Sequence, residues 1–157
     1  MSDPPAFQPP APGPEHRVFA KDVGTWDGDV VIRMPGAPPQ TSRGVMVNRL
    51  VCNGLWLVSD FHNETTGFDG HGVFGYDVQK KKYVGTWVDP MRTFLAPMEG
   101  TWDAANRTMT FVVDHAPMKW REVTEQVDDT TQVFRVFMAP PGAPEAEVMT
   151  VTYKRRG

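Results

Sequence analysis

From residue 24 to the C-terminus, apolar and polar side chains alternate along most of the chain. Trp26, Val30, Ile32 and Met34 alternate with mainly polar neighbours, and a period of two predicts strands that bury one face. Such runs recur at intervals of about ten residues, which is typical of all-β proteins. The pattern predicts ten strands, over residues 24–34, 41–52, 55–64, 69–78, 82–90, 93–102, 107–115, 118–128, 131–139 and 146–154.

The breaks between these runs carry turn residues. Asn53-Gly54 stands between two apolar runs and is the strongest hairpin signal, because a type I′ turn needs two residues with positive φ. Short strands joined by short turns predict an antiparallel meander. Closing that meander into an up-and-down barrel removes both sheet edges and leaves room for a cavity. A two-sheet sandwich is the alternative architecture, and it would have a filled core.

The first residues form a separate segment ahead of the strands. Six of the first 14 residues are proline, which has a fixed φ and no amide donor, so residues 1–14 are expected to form a disordered Pro-rich arm. The next stretch predicts one short helix, since Pro14 suits a first helical turn and Gly24 suits the position after a last turn. Residues 15–157 are therefore interpreted as a single β-barrel domain, with this helix capping one end.

Strand parity indicates which polar residues point into the barrel. A polar residue that shares the parity of the apolar set is costly inside unless it is hydrogen-bonded or used for binding. The inward polar candidates are Asp60, His62, Asp89, Glu99, His115 and Arg121. The full predicted ligand-binding set is Trp26, Trp56, Asp60, His62, Phe74, Tyr76, Trp87, Asp89, Glu99, His115 and Arg121. The candidates for acid–base catalysis are Asp89, Glu99 and His62.

These polar candidates also have purely structural interpretations. Asp89 stands at a strand end, where it can simply begin a turn. Glu99 and Arg121 can form a buried pair that fixes strand register without taking part in chemistry. Asp60 and His62 face water if the parity of their strand is the opposite of the one assigned. The sequence alone does not decide between these structural roles and a role in binding or catalysis.

Composition narrows the class of protein. The 157 residues include 16 Lys and Arg against 19 Asp and Glu, a net charge of -3, so there is no basic surface for nucleic acid. The longest apolar runs are four residues, whereas a membrane-spanning helix needs about 20, and no secretory signal is expected. Cys52 is the single cysteine, which excludes an internal disulfide and makes a reducing cytoplasm the expected location.

Sequence motifs for metal binding and nucleophilic catalysis are weak. The four histidines stand at positions 16, 62, 71 and 115 without metal-ligand spacing or a cysteine partner, so neither a metal site nor a cofactor is predicted. His115 also directly precedes Ala116-Pro117, a setting that suits a loop. Ser59 is not in a Gly-x-Ser-x-Gly elbow. No motif identifies an enzyme.

Three segments carry a family resemblance. The sequences FGYD at 74–77, KYVGTWVD at 82–89 and EGTWD at 99–103 resemble the bacterial family known as domain of unknown function 1579. The resemblance covers about residues 12–155 and departs at Met91-Arg92 and at Pro97-Met98, where smaller polar residues are expected in relatives. It implies a calycin-like barrel, similar to lipocalins and fatty-acid-binding proteins, with an internal cavity. It implies no particular activity.

Three functions are compatible with these observations. Apolar walls with a few polar groups predict binding of a small hydrophobic molecule, oriented by Arg121, Glu99 or Asp89. The alternative is a cofactor-free isomerase, cyclase or lyase that uses Asp89, Glu99 or His62 as acid or base. In such an enzyme, Arg121 would stabilise an oxyanion. A haem-binding barrel would use His62 or His115 as an axial ligand. The expected partner is a small hydrophobic molecule, and a homodimer is left open.

Overall fold

The computed structural model of the protein describes residues 7–157 and contains a closed barrel of ten antiparallel strands. This confirms the predicted all-β class. The predicted arm lies partly outside the described residues, so its disorder stays a prediction. The strands are β1 (Gly24–Ile32), β2 (Gln40–Val51), β3 (Trp56–Asn63), β4 (Asp69–Asp77), β5 (Lys82–Val88), β6 (Met98–Asp103), β7 (Thr108–His115), β8 (Met118–Gln126), β9 (Thr131–Met138) and β10 (Ala146–Arg155).

The first and last strands close the barrel. Their register runs from Trp26 opposite Arg155 to Ile32 opposite Met149, and β1 pairs with β2 on its other side. Each of the ten strands in the described barrel has two hydrogen-bonded neighbours. Closure therefore leaves none of these strands as an open edge, and the barrel interpretation is confirmed over the sandwich.

The barrel has one capped end and one open end. At the capped end, α1 (Pro14–Arg17) leads into a 3₁₀ turn, Val18–Lys21. The regular helix is thus shorter than expected, but it lies at a barrel end as predicted. Phe19 is 3% exposed and packs edge-on against Tyr83, with ring centroids 5.6 Å apart. The opposite end, called the mouth below, is bordered by the loops 33–39, 64–68, 89–97 and 139–145.

β6 is shorter than the sequence pattern predicts. The predicted range 93–102 is wrong at its start, because β6 begins at Met98 and the residues before it form the 89–97 loop. Pro90 and Pro97 lack the amide hydrogen that a strand ladder requires, which explains the interruption. β5 and β6 consequently share only three register pairs.

The inward-facing apolar residues form two packed clusters. One contains Trp26, Phe61 and Val151, and the other contains Met98 and Phe111 together with other buried residues. Three partly buried side chains contact both clusters, and they join the two into a continuous apolar lining: Trp87, Phe134 and Met149.

Glycine allows close packing at one of the Gly-Thr-Trp triplets. Gly100 on β6 is the register partner of Phe111 on β7. A Cβ atom at residue 100 would lie only 2.7 Å from the Phe111 ring, a distance at which the ring would have to move. Glycine is therefore required here for the close approach of another side chain.

Candidate functional site

The barrel encloses a cavity of about 1200 Å³ that opens at the mouth. This exceeds the range of about 300–1,000 Å³ that is usual for ligand pockets. Phe19 closes the cavity at the capped end, and Met34 and Met91 border it at the mouth. Its walls are mainly aromatic and methionine side chains: Trp26, Met46, Phe61, Phe74, Trp87, Trp102, Met109, Phe111, Phe134, Met138 and Met149.

Five of the predicted site residues point into the barrel. Trp26, Phe74, Trp87 and Asp89 line the cavity. Tyr76 lies nearer the capped end, where its ring packs against Tyr83 at 5.0 Å between centroids. The inward orientation assigned to these residues agrees with the structure. Their role in ligand binding stays a prediction.

The inward orientation predicted for three residues of β3 is wrong. Trp56, Asp60 and His62 face the outside, and the alternate residues of β3 are the buried ones. The Asp60 carboxylate interacts with Arg49 and with His71 Nδ1, the latter at 2.7 Å. These outer contacts hold the pKa of Asp60 below its ordinary value, chiefly through the hydrogen bond from His71.

His62 takes part in a similar pair on the same outer surface. Its Nδ1 lies 2.6 Å from Asp69 Oδ1 on β4, and both side chains are more than half exposed. The register of β3 with its neighbouring strands places His62 on the outer face of the barrel. A side chain on that face cannot reach the interior. His62 is therefore not placed to act as an acid or base, or as an axial haem ligand, inside the cavity.

Glu99 and Arg121 also point outward, which corrects their predicted orientation. Lys82 Nζ lies 2.6 Å from Glu99 on the outer surface, and this hydrogen bond is the main reason that the pKa of Glu99 is lowered. Arg121 Nη2 lies 2.7 Å from Glu145, and its guanidinium stacks over the Phe137 ring. The buried Glu99–Arg121 pair considered from the sequence is not formed.

His115 lies at the end of β7 and stacks on an aromatic ring of the mouth loop. The rings of His115 and Phe94 are 4.0 Å apart between centroids and nearly parallel, at 6°. Phe94 lines the cavity, whereas His115 is half-buried behind it and is not among the residues of the cavity wall. His115 therefore supports the wall, and its predicted role as a ligand contact is untested.

A polar group lies in the cavity wall near the mouth, and only one of its members, Asp89, was predicted from the sequence. This mouth cluster consists of Asp89, Arg92, Trp120 and Glu122, and all four residues line the cavity. Arg92 Nη2 lies 3.0 Å from Asp89 Oδ2, and the guanidinium lies over the Trp120 ring at 5.1 Å from its centroid. The Trp120 indole Nε1 donates to Glu122 Oε1 at 2.9 Å. The four side chains thus form two hydrogen-bonded pairs, and the cation–π contact between Arg92 and Trp120 joins the pairs.

The protonation of Glu122 is shifted by its surroundings. Burial raises the pKa of this carboxyl above its ordinary value, because a charge loses hydration in the barrel wall. The hydrogen bond from Trp120 and the charge of Arg92 lower the pKa, whereas the charge of Asp89 raises it. Glu122 also lines the cavity, so it can exchange a proton with a group bound there.

A second polar group lies at the capped end of the cavity. Gln132 Nε2 donates to Asp22 Oδ1 at 2.6 Å, and the Trp26 indole donates to the Asp22 carbonyl oxygen at 2.8 Å. Burial raises the pKa of Asp22 to about 6, while hydrogen bonds from Gln132 and Gln126 and the charge of Arg155 act in the opposite direction. These bonds fix the residue that joins the 3₁₀ turn to β1.

Only part of the missed site has a signal in the sequence. Glu122 shares parity with Trp120 and Gln126, so assigning Trp120 to the inner face would have identified it. The inward orientation predicted for Arg121 instead placed Glu122 on the outer face of its strand. Arg92 lies in a loop between two prolines, where no periodicity shows which way a side chain points.

Residues 7–157 contain neither a candidate metal cluster nor a helix that could span a membrane. Within that range no group of three or more His, Cys, Asp or Glu side chains is placed to hold a metal ion. None of the helices in the same range has the length and apolar character required to cross a membrane.

Solved structures with similar barrels share little sequence with this chain. Rv2717c from M. tuberculosis superposes with a TM-score of 0.69 at 13% identity, covering 92% of this chain and 99% of that one. The S-type phycobiliprotein lyase CPES from Guillardia theta gives 0.63 at 9% identity, with coverages of 93% and 99%. A DUF3598-family protein of unknown function from Nostoc punctiforme gives 0.56 at 13%, with coverages of 88% and 48%. These similarities show the fold alone.

Sequence comparison gives a more specific result. No curated protein matches the chain. The family model described as a protein of unknown function, DUF1579, matches residues 11–155, which include all ten strands and the capping helix. The resemblance found in the Gly-Thr-Trp segments is thereby confirmed, and the chain belongs to the DUF1579 family.

Proposed function

We propose that the protein binds a large, mainly apolar molecule inside its barrel and that this molecule enters through the mouth. The observation that carries the proposal is the cavity of about 1200 Å³ with aromatic and methionine walls. Side chains around such a space have few packing partners on their inner side. An apolar ligand would therefore gain dispersion contacts and would also remove its own surface from water.

Methionine side chains in the cavity wall allow the cavity to adapt to the shape of its ligand. Methionine is unbranched and polarizable, and it can repack around ligands of different outline. Seven of the nine methionines border the cavity, from the capped end to the mouth: Met34, Met46, Met91, Met109, Met118, Met138 and Met149. This arrangement favours an extended or irregular apolar ligand over a small rigid one.

A cofactor-free enzyme is the second candidate, and Glu122 is the observation that favours it. A carboxyl with a raised pKa beside a guanidinium is typical of acid–base sites. Glu122 takes the place of the sequence candidates Glu99 and His62, whose side chains lie on the outer surface. A protein described as a phycobiliprotein lyase has the same barrel fold, so the fold is compatible with an enzyme. Glu122→Gln would abolish turnover and retain ligand binding if this candidate is correct.

A natural ligand can be sought by native mass spectrometry. The protein would be purified from its own host without denaturation and compared with the same sample after denaturation. We expect a reproducible additional mass that denaturation removes, and this mass would identify the class of ligand. A mass equal to that of the bare chain in the native sample would weigh against a tightly held ligand and towards an enzyme that releases its product.

A matched pair of substitutions tests whether binding occurs inside the barrel. Thr124 lines the cavity on β8, whereas Thr101 is exposed on the outer face of β6. The hydrocarbon fluorophore diphenylhexatriene becomes fluorescent in apolar surroundings and reports binding. We expect Thr124→Trp to weaken its binding by at least about tenfold by occupying cavity volume, and Thr101→Trp to have no effect. Equal effects of the two substitutions would contradict binding in the cavity.

A further inference from the structure

We infer that the mouth cluster recognises a neutral hydrogen-bond-accepting group on the apolar ligand, such as an amide, ester or ketone, and discriminates against a carboxylate. The inference deepens the proposed function and rests on it. It follows from how the Asp89–Arg92 ion pair and the Glu122 carboxyl are arranged in the cavity wall.

The only positive charge of the mouth cluster already has a counter-charge. Arg92 pairs with Asp89 at 3.0 Å, and the Asp89 side chain is only 5% exposed. The second oxygen of Asp89 accepts the Met91 amide at 2.8 Å, so this carboxylate is held on both sides. The pair carries no net charge, and a ligand anion would have to compete with a buried carboxylate for the Arg92 guanidinium.

Glu122 supplies the hydrogen-bond donor for the neutral group of the ligand. Its Oε1 accepts the Trp120 indole hydrogen bond at 2.9 Å, and its Oε2 accepts no hydrogen bond from any described residue. When the carboxyl is protonated, the O–H group can donate to an acceptor in the cavity. Burial favours this neutral form.

The neighbouring strands on both sides present apolar residues to Glu122. Its register partners on β7 and β9 are Phe111 and Val136, and the charged groups that act on it are Arg92 and Asp89. A ligand carboxylate would place a further negative charge beside these two carboxyl groups, away from water. A ligand ammonium would require Glu122 to ionise in a site that favours its neutral form.

Three chains that differ only in the head group test this inference. Hexadecanamide, hexadecanoate and hexadecylammonium would each displace diphenylhexatriene from the full-length protein near neutral pH. We expect the amide to bind more tightly than either charged chain by at least about tenfold. Equal or tighter binding of the carboxylate or of the ammonium would overturn the inference.

Substitutions at Glu122 separate recognition of the head group from general binding. Glu122→Gln keeps a neutral donor of the same shape, so we expect it to retain the preference for the amide. Glu122→Leu removes the donor, and we expect loss of that preference with diphenylhexatriene still bound. Glu99→Gln changes a carboxyl on the outer face and should behave as the unmodified protein. Retention of the preference in Glu122→Leu would overturn the inference.

The pH dependence gives an independent readout. As pH rises and Glu122 loses its proton, the donor disappears, so the affinity for hexadecanamide should fall in the unmodified protein and stay constant in Glu122→Gln. An affinity that is independent of pH in both proteins would overturn the inference. If diphenylhexatriene fails to bind at all, the proposed function fails and the inference fails with it. If it binds but the head groups compete equally, only the inference fails.

Discussion

The indole N–H of Trp120 donates a hydrogen bond to Glu122 Oε1 over 2.9 Å, from two positions away on the same strand. Side chains two positions apart share a face of a strand, so both lie on the inner wall of β8. Arg92 reaches the same indole from the mouth loop, at 5.1 Å from the ring centroid. One aromatic ring thus contacts both a carboxyl and a guanidinium in the wall of a mainly apolar cavity.

Trp120→Phe should raise the pKa of Glu122 further. The hydrogen bond from Trp120 stabilises the ionised carboxylate and lowers its pKa against the effect of burial, and phenylalanine keeps the ring but removes the donor. Carbon-detected NMR of the glutamate carboxyl resonances during a pH titration measures the change. Trp102→Phe, at another tryptophan of the cavity wall, is the control. An unchanged Glu122 titration in Trp120→Phe would show that the hydrogen bond has no effect on the carboxyl.

Arg92→Met should destabilise the fold by about 2 kcal/mol, because it leaves the buried Asp89 carboxylate without its counter-charge. Adding Asp89→Asn to the same chain should recover most of this loss, since no uncompensated charge then remains. Urea unfolding of the two single variants and the double variant gives the coupling free energy. Additive effects of the two substitutions would contradict an energetically significant pair.

Asp22→Asn should stabilise the protein at neutral pH. The pKa of Asp22 is raised from 3.8 to about 6 in the folded state. Between these two pH values, the folded protein retains a proton that the unfolded chain releases. Stability from this group is fully present below the unfolded value and is lost as pH rises through the folded one. Asparagine avoids that loss, and the gain above pH ~7 should be up to about 3 kcal/mol.

The measurement is the difference in unfolding free energy between Asp22→Asn and the unmodified protein at acidic and at neutral pH. The difference should shrink as pH falls to about 4. Asp128→Asn is the control, because Asp128 is exposed and its pKa is lowered by hydrogen bonds from Thr130, so it should give no stabilisation. Equal destabilisation by Asp22→Asn at both pH values would mean that the hydrogen bonds from Gln132 and Gln126 require a carboxylate.

Gly100→Val should cost about 1–3 kcal/mol by overpacking the barrel wall. A Cβ atom at this position would lie 2.7 Å from the Phe111 ring, so the ring would have to leave its position. The neighbouring Thr101→Val changes an outer, exposed residue and should change stability by less than about 0.5 kcal/mol. Thermal unfolding of both variants distinguishes a steric effect from a general effect of valine on β6.

Backbone amides at the start of β6 should exchange with solvent faster than those of β1. β5 and β6 share only three register pairs, from Tyr83 opposite Gly100 to Gly85 opposite Met98, whereas β1 is paired along its length on both sides. Few ladder pairs allow local opening at low free energy. Hydrogen exchange followed by mass spectrometry should show rates higher by at least about tenfold in peptides covering residues 98–100. Equal protection would indicate that the 89–97 loop stabilises this junction.

Parity succeeded on strands whose apolar residues lie mainly on one face. In β7, Met109, Phe111 and Val113 share one parity and are all buried, and they outnumber the single apolar residue of the other parity, Val112. β3 is different, because Trp56 and Leu57 offer an apolar residue on each parity. A shift of one residue turns every side chain of a strand to the other face. The residues of β3 that were assigned to the barrel interior therefore lie on the outer surface.

The sequence by itself determined the number of strands, the positions of most turns, the capped end and the family, because these depend on local alternation, turn chemistry and short characteristic segments. The tertiary structure decided which face of β3 and β8 points inward, since register with neighbouring strands sets it. It also decided that Arg92, from a loop without periodicity, meets Trp120 in the cavity wall. Burial of the charge-bearing groups arises only when the barrel closes, so the raised pKa of Glu122 has no signature in the linear chain.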